Sequence, residues 1–178
     1  MKMMKMMSHI VAHSHQVCHV ATFLIDQLIP AGILLNRELV RAAALLHDIT
    51  KTRSFETKEN HALTGARFIS DRGYPEVGFI VRQHVKLDHY FASKHLSEAE
   101  IVNYADKRVL HDKIVSLKKR MNYIATKYGK EKESRKYVYN LRDKTVQLEN
   151  RLFKNLPFRP AELGDLLSRR LTGGHSGV

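Results

Sequence analysis

"RAAALLHDITK", residues 41–51, runs apolar from Ala42 to Leu46, then ends in His47 and Asp48 with Lys51 three residues on. An apolar helical run normally finishes in a cap or a turn residue. This one delivers an imidazole and a carboxylate, side by side, to the edge of a core. The run belongs to a helix over Glu38 to His47, nearly apolar on all sides, which places it centrally in the domain. Taken alone the pair reads as a buried histidine beside a cap. It acquires a chemical meaning because similar residues recur on the helices around it.

Helical periodicity dominates on both sides and no segment alternates as a strand, so the expected fold class is all-α. Ile10, Val17, Val20, Leu24 and Leu28 share one helical face and predict a helix from Ser8 to Ile29, ended by Pro30-Ala31-Gly32. Residues 50–60 are polar and read as a loop. A third helix spans Asn60 to Asp71 and stops near Gly73, and Pro75 opens a fourth to about Val85. After a loop over 86–96, "SEAE" at 97–100 has the capping-box form and opens a fifth helix through about Leu110.

Beyond that point the pattern changes. Ile114, Leu117, Met121, Ile124 and Tyr128, and after Gly129 the set Val138, Leu141, Thr145, Leu148 and Leu152, follow spacings of three and four. Two helices with a heptad-like seam and a short turn predict an antiparallel hairpin. The expected organisation is a helical core over 8–112, a hairpin over 113–156, and a short, partly disordered tail over 157–178 ending in "TGGHSGV".

A chain of 178 residues suffices for one domain with a sizeable core. The single cysteine, Cys18, excludes an internal disulfide, and no apolar run approaches the roughly 18 residues of a membrane span. "MKMMKMM" lacks the apolar core and cleavage site of a signal peptide and reads as a frayed leader, so the expected location is the cytoplasm. The net charge of +12 is unevenly placed: 12 Lys/Arg against 11 Asp/Glu through Asp106, then 18 against 7. Nine of the 11 histidines precede residue 96, so a histidine-rich, nearly neutral region is followed by a basic one.

Among the histidines of the first helix, His13 precedes Val17, Val20 and Leu24 by four, seven and eleven positions and so faces inward, whereas His15 and His19 share the wet side with Thr22 and Asp26. His61 precedes Gly65 by four; a glycine inside a helix costs about 1 kcal/mol relative to alanine, which predicts a close approach there. His84 follows Val77 and Ile80, and Asp106 lies four residues from both Val102 and Leu110, on a core stripe. A buried carboxylate needs a partner. Adjacent helical positions diverge by about 100°, which argues against Lys107 and for a cation inside the site. His13, His47, Asp48, His61, His84 and Asp106 thus converge as imidazoles and carboxylates without thiolate, a donor set suited to Mg²⁺ or a first-row transition metal. Six ligands exceed what one catalytic ion uses, and two ions sharing Asp48 fit the count.

The ordered set resembles the HD-domain metal-dependent phosphohydrolases. "HSHQV" (13–17) is similar to the first-helix motif of that family, "LLHDITK" to its His-Asp signature, "NHALTGA" (60–66) to the His-x-x-x-Gly-Ala of its HDIG subgroup, and "NYADKR" (103–108) to its closing Tyr-Ala-Asp-Lys. The resemblance covers about residues 8–115. Thr50 stands where the subgroup has glycine, and Val85 where the cyclic-dinucleotide branch has a second histidine, with His89 five residues beyond His84. The resemblance implies an HD-domain helical bundle and one or two divalent ions (Fe, Mn, Zn, Ni or Mg). His13, His47, Asp48 and Asp106 would hold the first, and Asp48, His61 and His84 the second. It further implies hydrolysis of a phosphate substrate, a nucleotide or related ester, by a metal-activated hydroxide, with Asp48 and Lys51 catalytic and Lys51, Arg53 and Lys107 binding the phosphate. The competing reading is a basic helical protein that binds RNA through Lys118, Lys119, Arg120, Lys127 and Lys130, its His/Asp set structural. The hairpin seam could also pair two chains as a homodimer.

Overall fold

The computed structural model describes residues 4–91 and 93–173, with side chains described through residue 170. The architecture is all-α apart from one minimal β-ladder. Helix α1 (Ser8–Leu28) buries the predicted stripe of Val17, Val20, Leu24 and Leu28 completely. Helix α2 (Arg37–Leu46) starts at Asn36, whose side chain accepts from the Leu39 N–H at 3.0 Å. It is central but not apolar on all sides. Val40, Ala43 and Ala44 are buried, the two alanines letting neighbouring helices close in, while Glu38 and Arg41 pair at the surface at 3.4 Å.

The predicted loop at 50–60 contains a short helix, α3 (Lys51–Thr57), closed by Lys58 at φ +59°. It buries no side chain, so no apolar period marked it. Helix α4 (His61–Ser70) is capped by Asn60, which accepts from the N–H groups of Ala62 and Leu63. Helix α5 (Pro75–Arg82) ends three residues earlier than expected, so His84 lies beyond the helix rather than on it. The capping box of Ser97 and Glu100 opens α6 (Glu98–Lys107). Asn103 of α6 explains the early stop of α5: its Nδ2 donates to the carbonyls of Gln83 and His84 at 2.8 and 3.0 Å, replacing the helical bonds those groups would otherwise accept.

Helix α6 also stops short of Leu110. Val109–Leu110 (β1) pairs antiparallel with Lys113–Ile114 (β2), and His111 makes the turn at φ +57°. Ile114 therefore belongs to the ladder, and the seam begins at Leu117. Helices α7 (Leu117–Tyr128) and α8 (Lys132–Phe153) form the predicted hairpin, and Leu117, Met121, Val138, Leu141, Leu148 and Leu152 bury the seam within the chain.

The described part of the tail is ordered. After a 3-10 turn at Pro160–Glu162, helix α9 (Leu163–Gly173) sends Leu163 and Leu167 into the main core at 0% exposure. Leu148 and Leu152 join the same cluster as Val17, Ala44, Tyr104 and Val109. The leader is likewise tied down in part: Met4 and Met6 pack against the core, and the Met7 N–H donates to Thr52 Oγ1 at 3.0 Å. Met1–Met3 and the end of "TGGHSGV", from residue 174 on, lie outside the described residues. No described helix is long and apolar enough to cross a membrane.

Candidate metal centre

His47 follows the last residue of α2 and keeps helical dihedrals, so Asp48 emerges where the chain turns toward α3. The His47 ring is held by its own helix: Nδ1 lies 2.7 Å from the Ala44 carbonyl oxygen. His84 repeats the device one helix away, with Nδ1 2.7 Å from the Val81 carbonyl. His13 uses the β-turn instead, Nδ1 standing 2.7 Å from the His111 carbonyl. A carbonyl oxygen can only accept, so each Nδ1 carries the proton and each Nε2 turns a lone pair inward. Backbone geometry thus sets the tautomer of three rings.

Those lone pairs meet acceptors. His13 Nε2 is 3.1 Å from Asp106 Oδ1, and His61 Nε2 is 3.2 Å from Asp48 Oδ1 and 3.1 Å from His84 Nε2. His47 Nε2 and Asp48 Oδ1 are buried and have no hydrogen-bond partner. Buried polar atoms are almost always satisfied, so two such atoms among converging lone pairs fit a cation between them. Two overlapping triads bring one donor atom each within 4.8 Å of one another: His13, His47 and Asp48, and Asp48, His61 and His84. Asp48 belongs to both.

The electrostatics favour the ligand-ready protonation state at His47, His61, Asp48 and Asp106, and oppose it at His13. Complete burial pushes His47 down to about 4, so its ring is neutral over the physiological range. Burial also lowers His61. It would raise Asp48, but the imidazoles of His47, His61 and His84 outweigh it and hold that carboxyl well below the usual carboxylate range. Asp106 is held similarly low against burial by Lys107, His13 and Arg120. His13, although burial would lower it, is raised by Asp106.

Asp106 is the point at which the sequence argument fails. Lys107, set aside because adjacent helical residues diverge, lies with its Nζ 3.1 Å from Asp106 Oδ2 and also donates to the His84 carbonyl. The four-carbon stem of lysine is long enough to bend back over the 100° offset. Lys107 is 2% exposed, and its burial lowers its affinity for a proton. A second cation, Arg120 of α7, approaches Asp106 Oδ1 at 3.6 Å and was foreseen only as part of a surface arm.

The other predicted residues separate cleanly. Lys51, the first residue of α3, sets its Nζ 3.1 Å from His61 Nε2 and faces the cavity over the cluster. Arg53 does not join it: one turn of helix directs it to Glu59 at 2.7 Å, outside the cavity lining. His89 is exposed and borders a different depression beside Phe79 and Ser97. Thr50, at φ −102°, needs no glycine; its hydroxyl donates to the His61 carbonyl at 2.9 Å and meets Thr64 Oγ1 at 3.0 Å. Gly65 provides the expected close approach, since a Cβ there would stand 3.3 Å from both Ile49 Cγ2 and Thr50 Oγ1. Residues sequence reasoning missed are His111, whose carbonyl fixes His13, and Arg120. A positive-φ turn residue and one arginine in a basic run carry no sequence signal that would have singled them out.

A cavity of about 960 Å³ opens above the cluster, reaching from Asp48, His61 and His84 to the hairpin residues Tyr123, Lys127 and Tyr137. No curated protein and no solved structure matches the chain. The model of the HD domain matches residues 10–109, more than half of the chain, and that span contains His13, His47, Asp48, His61, His84 and Asp106. The chain belongs to the HD domain family.

Proposed function

We propose that this protein is a metal-dependent phosphohydrolase, of the HDIG type, that acts on a nucleotide. One observation carries the reading. The inward Nε2 atoms of His13, His47 and His84 converge on two carboxylates, a donor set suited to a divalent cation. His13, His47, Asp48 and Asp106 would hold one divalent ion, and Asp48, His61 and His84 a second. The ions supply Lewis acidity: they activate water and neutralise phosphate oxygens.

The protein's own part is orientation and charge. Lys51 stands beside His61 at the floor of the cavity, where its ammonium binds a phosphate oxygen as a point charge. Lys107 ties Asp106 to the His84 carbonyl and so fixes the spacing between the two halves of the cluster. Thr50 pins the backbone of His61. In the HDIG reading, Thr50 replaces glycine without strain because its dihedrals are ordinary. The lone cysteine is consistent with a cytoplasmic setting.

The test is metal analysis of the purified protein, followed by a hydrolysis screen over mononucleotides, dinucleoside polyphosphates, cyclic nucleotides and short RNA. Asp48→Ala is expected to abolish both metal retention and hydrolysis while leaving the far-ultraviolet circular dichroism unchanged. Protein that carries no metal and stays inert to every ester with Mn²⁺, Fe²⁺ or Mg²⁺ added refutes the proposal.

A further inference from the structure

The cavity does not end at the His/Asp cluster. Its far wall is built by α7 and α8, which lie outside the stretch shared with the HD domain family. Three features of that wall bear on what the cavity can hold. Arg120 is mostly covered, with its side chain 16% exposed, yet among the described residues its Nε is buried without a hydrogen-bond partner and its ion pair to Asp106 is long at 3.6 Å. A guanidinium held in this way, beside a candidate metal ligand and facing the cavity, has donors to spare for a bidentate anion.

Lys127 extends the positive charge along the wall: its Nζ donates to Tyr123 Oη at 3.3 Å. With Lys51, three cations that the cluster does not enclose border a space in which Glu133 is the one carboxylate outside the cluster among the described lining residues. Such an excess suits more than one phosphate. Finally, Tyr128 and Tyr137 border the same cavity while 55% and 47% exposed, leaving ring surface available for stacking. The volume lies near the top of the roughly 300–1,000 Å³ usual for small-molecule sites, more than a single phosphate ester fills.

We propose that the α7–α8 hairpin is the specificity wall of this enzyme and that its ligand is a nucleoside polyphosphate: Arg120 and Lys127 bind the phosphate chain, and Tyr137 stacks on the base. The inference rests on the phosphohydrolase reading for the reacting end of the ligand. Stacking tolerates any base, because every base presents a π-face.

The test is calorimetric binding to the full chain in Mn²⁺ of three probes: adenylyl imidodiphosphate, tripolyphosphate and adenosine. Arg120→Gln is expected to weaken the first two by about tenfold and to change adenosine by less than about twofold. Tyr137→Ala should weaken the analogue and adenosine by about tenfold and spare tripolyphosphate. Tyr139→Ala, two residues on, outside the cavity lining and half exposed, leaves all three unchanged. Failure of the analogue to bind, or binding that neither Arg120→Gln nor Tyr137→Ala alters, overturns the proposal. Turnover of ATP and of mononucleotides by the unmodified protein, measured in parallel, separates the two conclusions. Turnover without hairpin-dependent binding leaves the phosphohydrolase and removes the wall; the reverse pattern leaves the wall and removes the hydrolase.

Discussion

Arg108→Met removes the side chain that seats the hairpin on the rest of the molecule. Arg108 is 3% exposed and closes α6. Its Nε donates to the Val115 carbonyl at 2.9 Å, one terminal nitrogen to the Pro160 carbonyl at 2.9 Å, and the other to Tyr104 Oη at 2.6 Å, 3.5 Å from Glu149. One guanidinium thus joins α6, the β-ladder, α8 and the turn before α9. Methionine keeps most of the stem packing but leaves the Val115 and Pro160 carbonyls and the Tyr104 phenol oxygen without this donor, while Glu149 keeps the Tyr104 hydroxyl. Each buried acceptor left without a donor costs about 1–3 kcal/mol, so losing the bonds to Val115 and Pro160 together costs about 3–5 kcal/mol.

Total stabilities of about 5–15 kcal/mol make that a large fraction. For a chain of this size each kcal/mol moves Tm by about 2–4 °C, so a fall of about 10 °C is expected. The chain has no tryptophan, so thermal and urea unfolding are followed by circular dichroism. Arg142→Met is the comparison: Arg142 and Asp143 pair at 3.2 Å at the surface, half exposed, and losing such a pair costs about 0.5 kcal/mol. If Arg108→Met and Arg142→Met shift Tm equally, the seating argument is wrong. Glu149→Gln in the Arg108→Met background should cost much less than alone, since the two charges share one interaction.

Leu163→Ala should destabilise by about 2–5 kcal/mol in urea, because a fully buried leucine of α9 leaves a cavity in the shared core; a disordered tail would show no change. Gly78→Ala would ordinarily gain helix propensity, but its Cβ would lie 2.7 Å from the Ala66 carbonyl oxygen, which cannot swing away. A loss of about 1–3 kcal/mol is therefore expected, and a gain would show that α4 and α5 can separate freely. Asp26 links α1 to Arg37 at 2.6 Å and to Arg170 at 3.2 Å, and these cations depress its carboxyl against the opposing effect of burial. A depressed carboxyl stabilises the fold above its unfolded value and loses that contribution as pH falls through the folded one. Asp26→Asn should therefore lower stability by about 1 kcal/mol at pH 7, with the difference from wild type closing below the ordinary carboxylate range; urea midpoints that differ equally at every pH would contradict it.

Helices with a clean apolar stripe and a cap were legible in the sequence: α1 from Val17, Val20 and Leu24, α4 from Asn60, α6 from its capping box. So was the convergence of six polar residues, because an imidazole or carboxylate on a buried stripe has no structural reason to be there. What escaped was set by contacts distant in sequence. Asn103 ends α5 by taking over its carbonyls, and Leu163 orders α9 only because the main core has room for it. Helix α3 buries nothing, and a helix without a buried face leaves no period to read.

The failure at Asp106 has a more general cause, and it bears on how the site works. The direction of a Cα–Cβ bond says where a short side chain goes; it says little about lysine or arginine, whose charge sits several bonds away. Asp106 therefore has two cations that sequence spacing hid: Lys107 from the next position and Arg120 from another helix. They differ in what else they hold. Lys107 also ties down the His84 carbonyl and is fully enclosed, so it is committed to the geometry of the cluster. Arg120 lines the cavity and, among the described residues, holds Asp106 only through a long contact. An enclosed cation that fixes a carboxylate, next to a second cation that fixes it only loosely, divides holding the centre from recognising what enters it. The first belongs to the stretch shared with the HD domain family and the second to the helices after it, the division that the proposed hairpin wall requires.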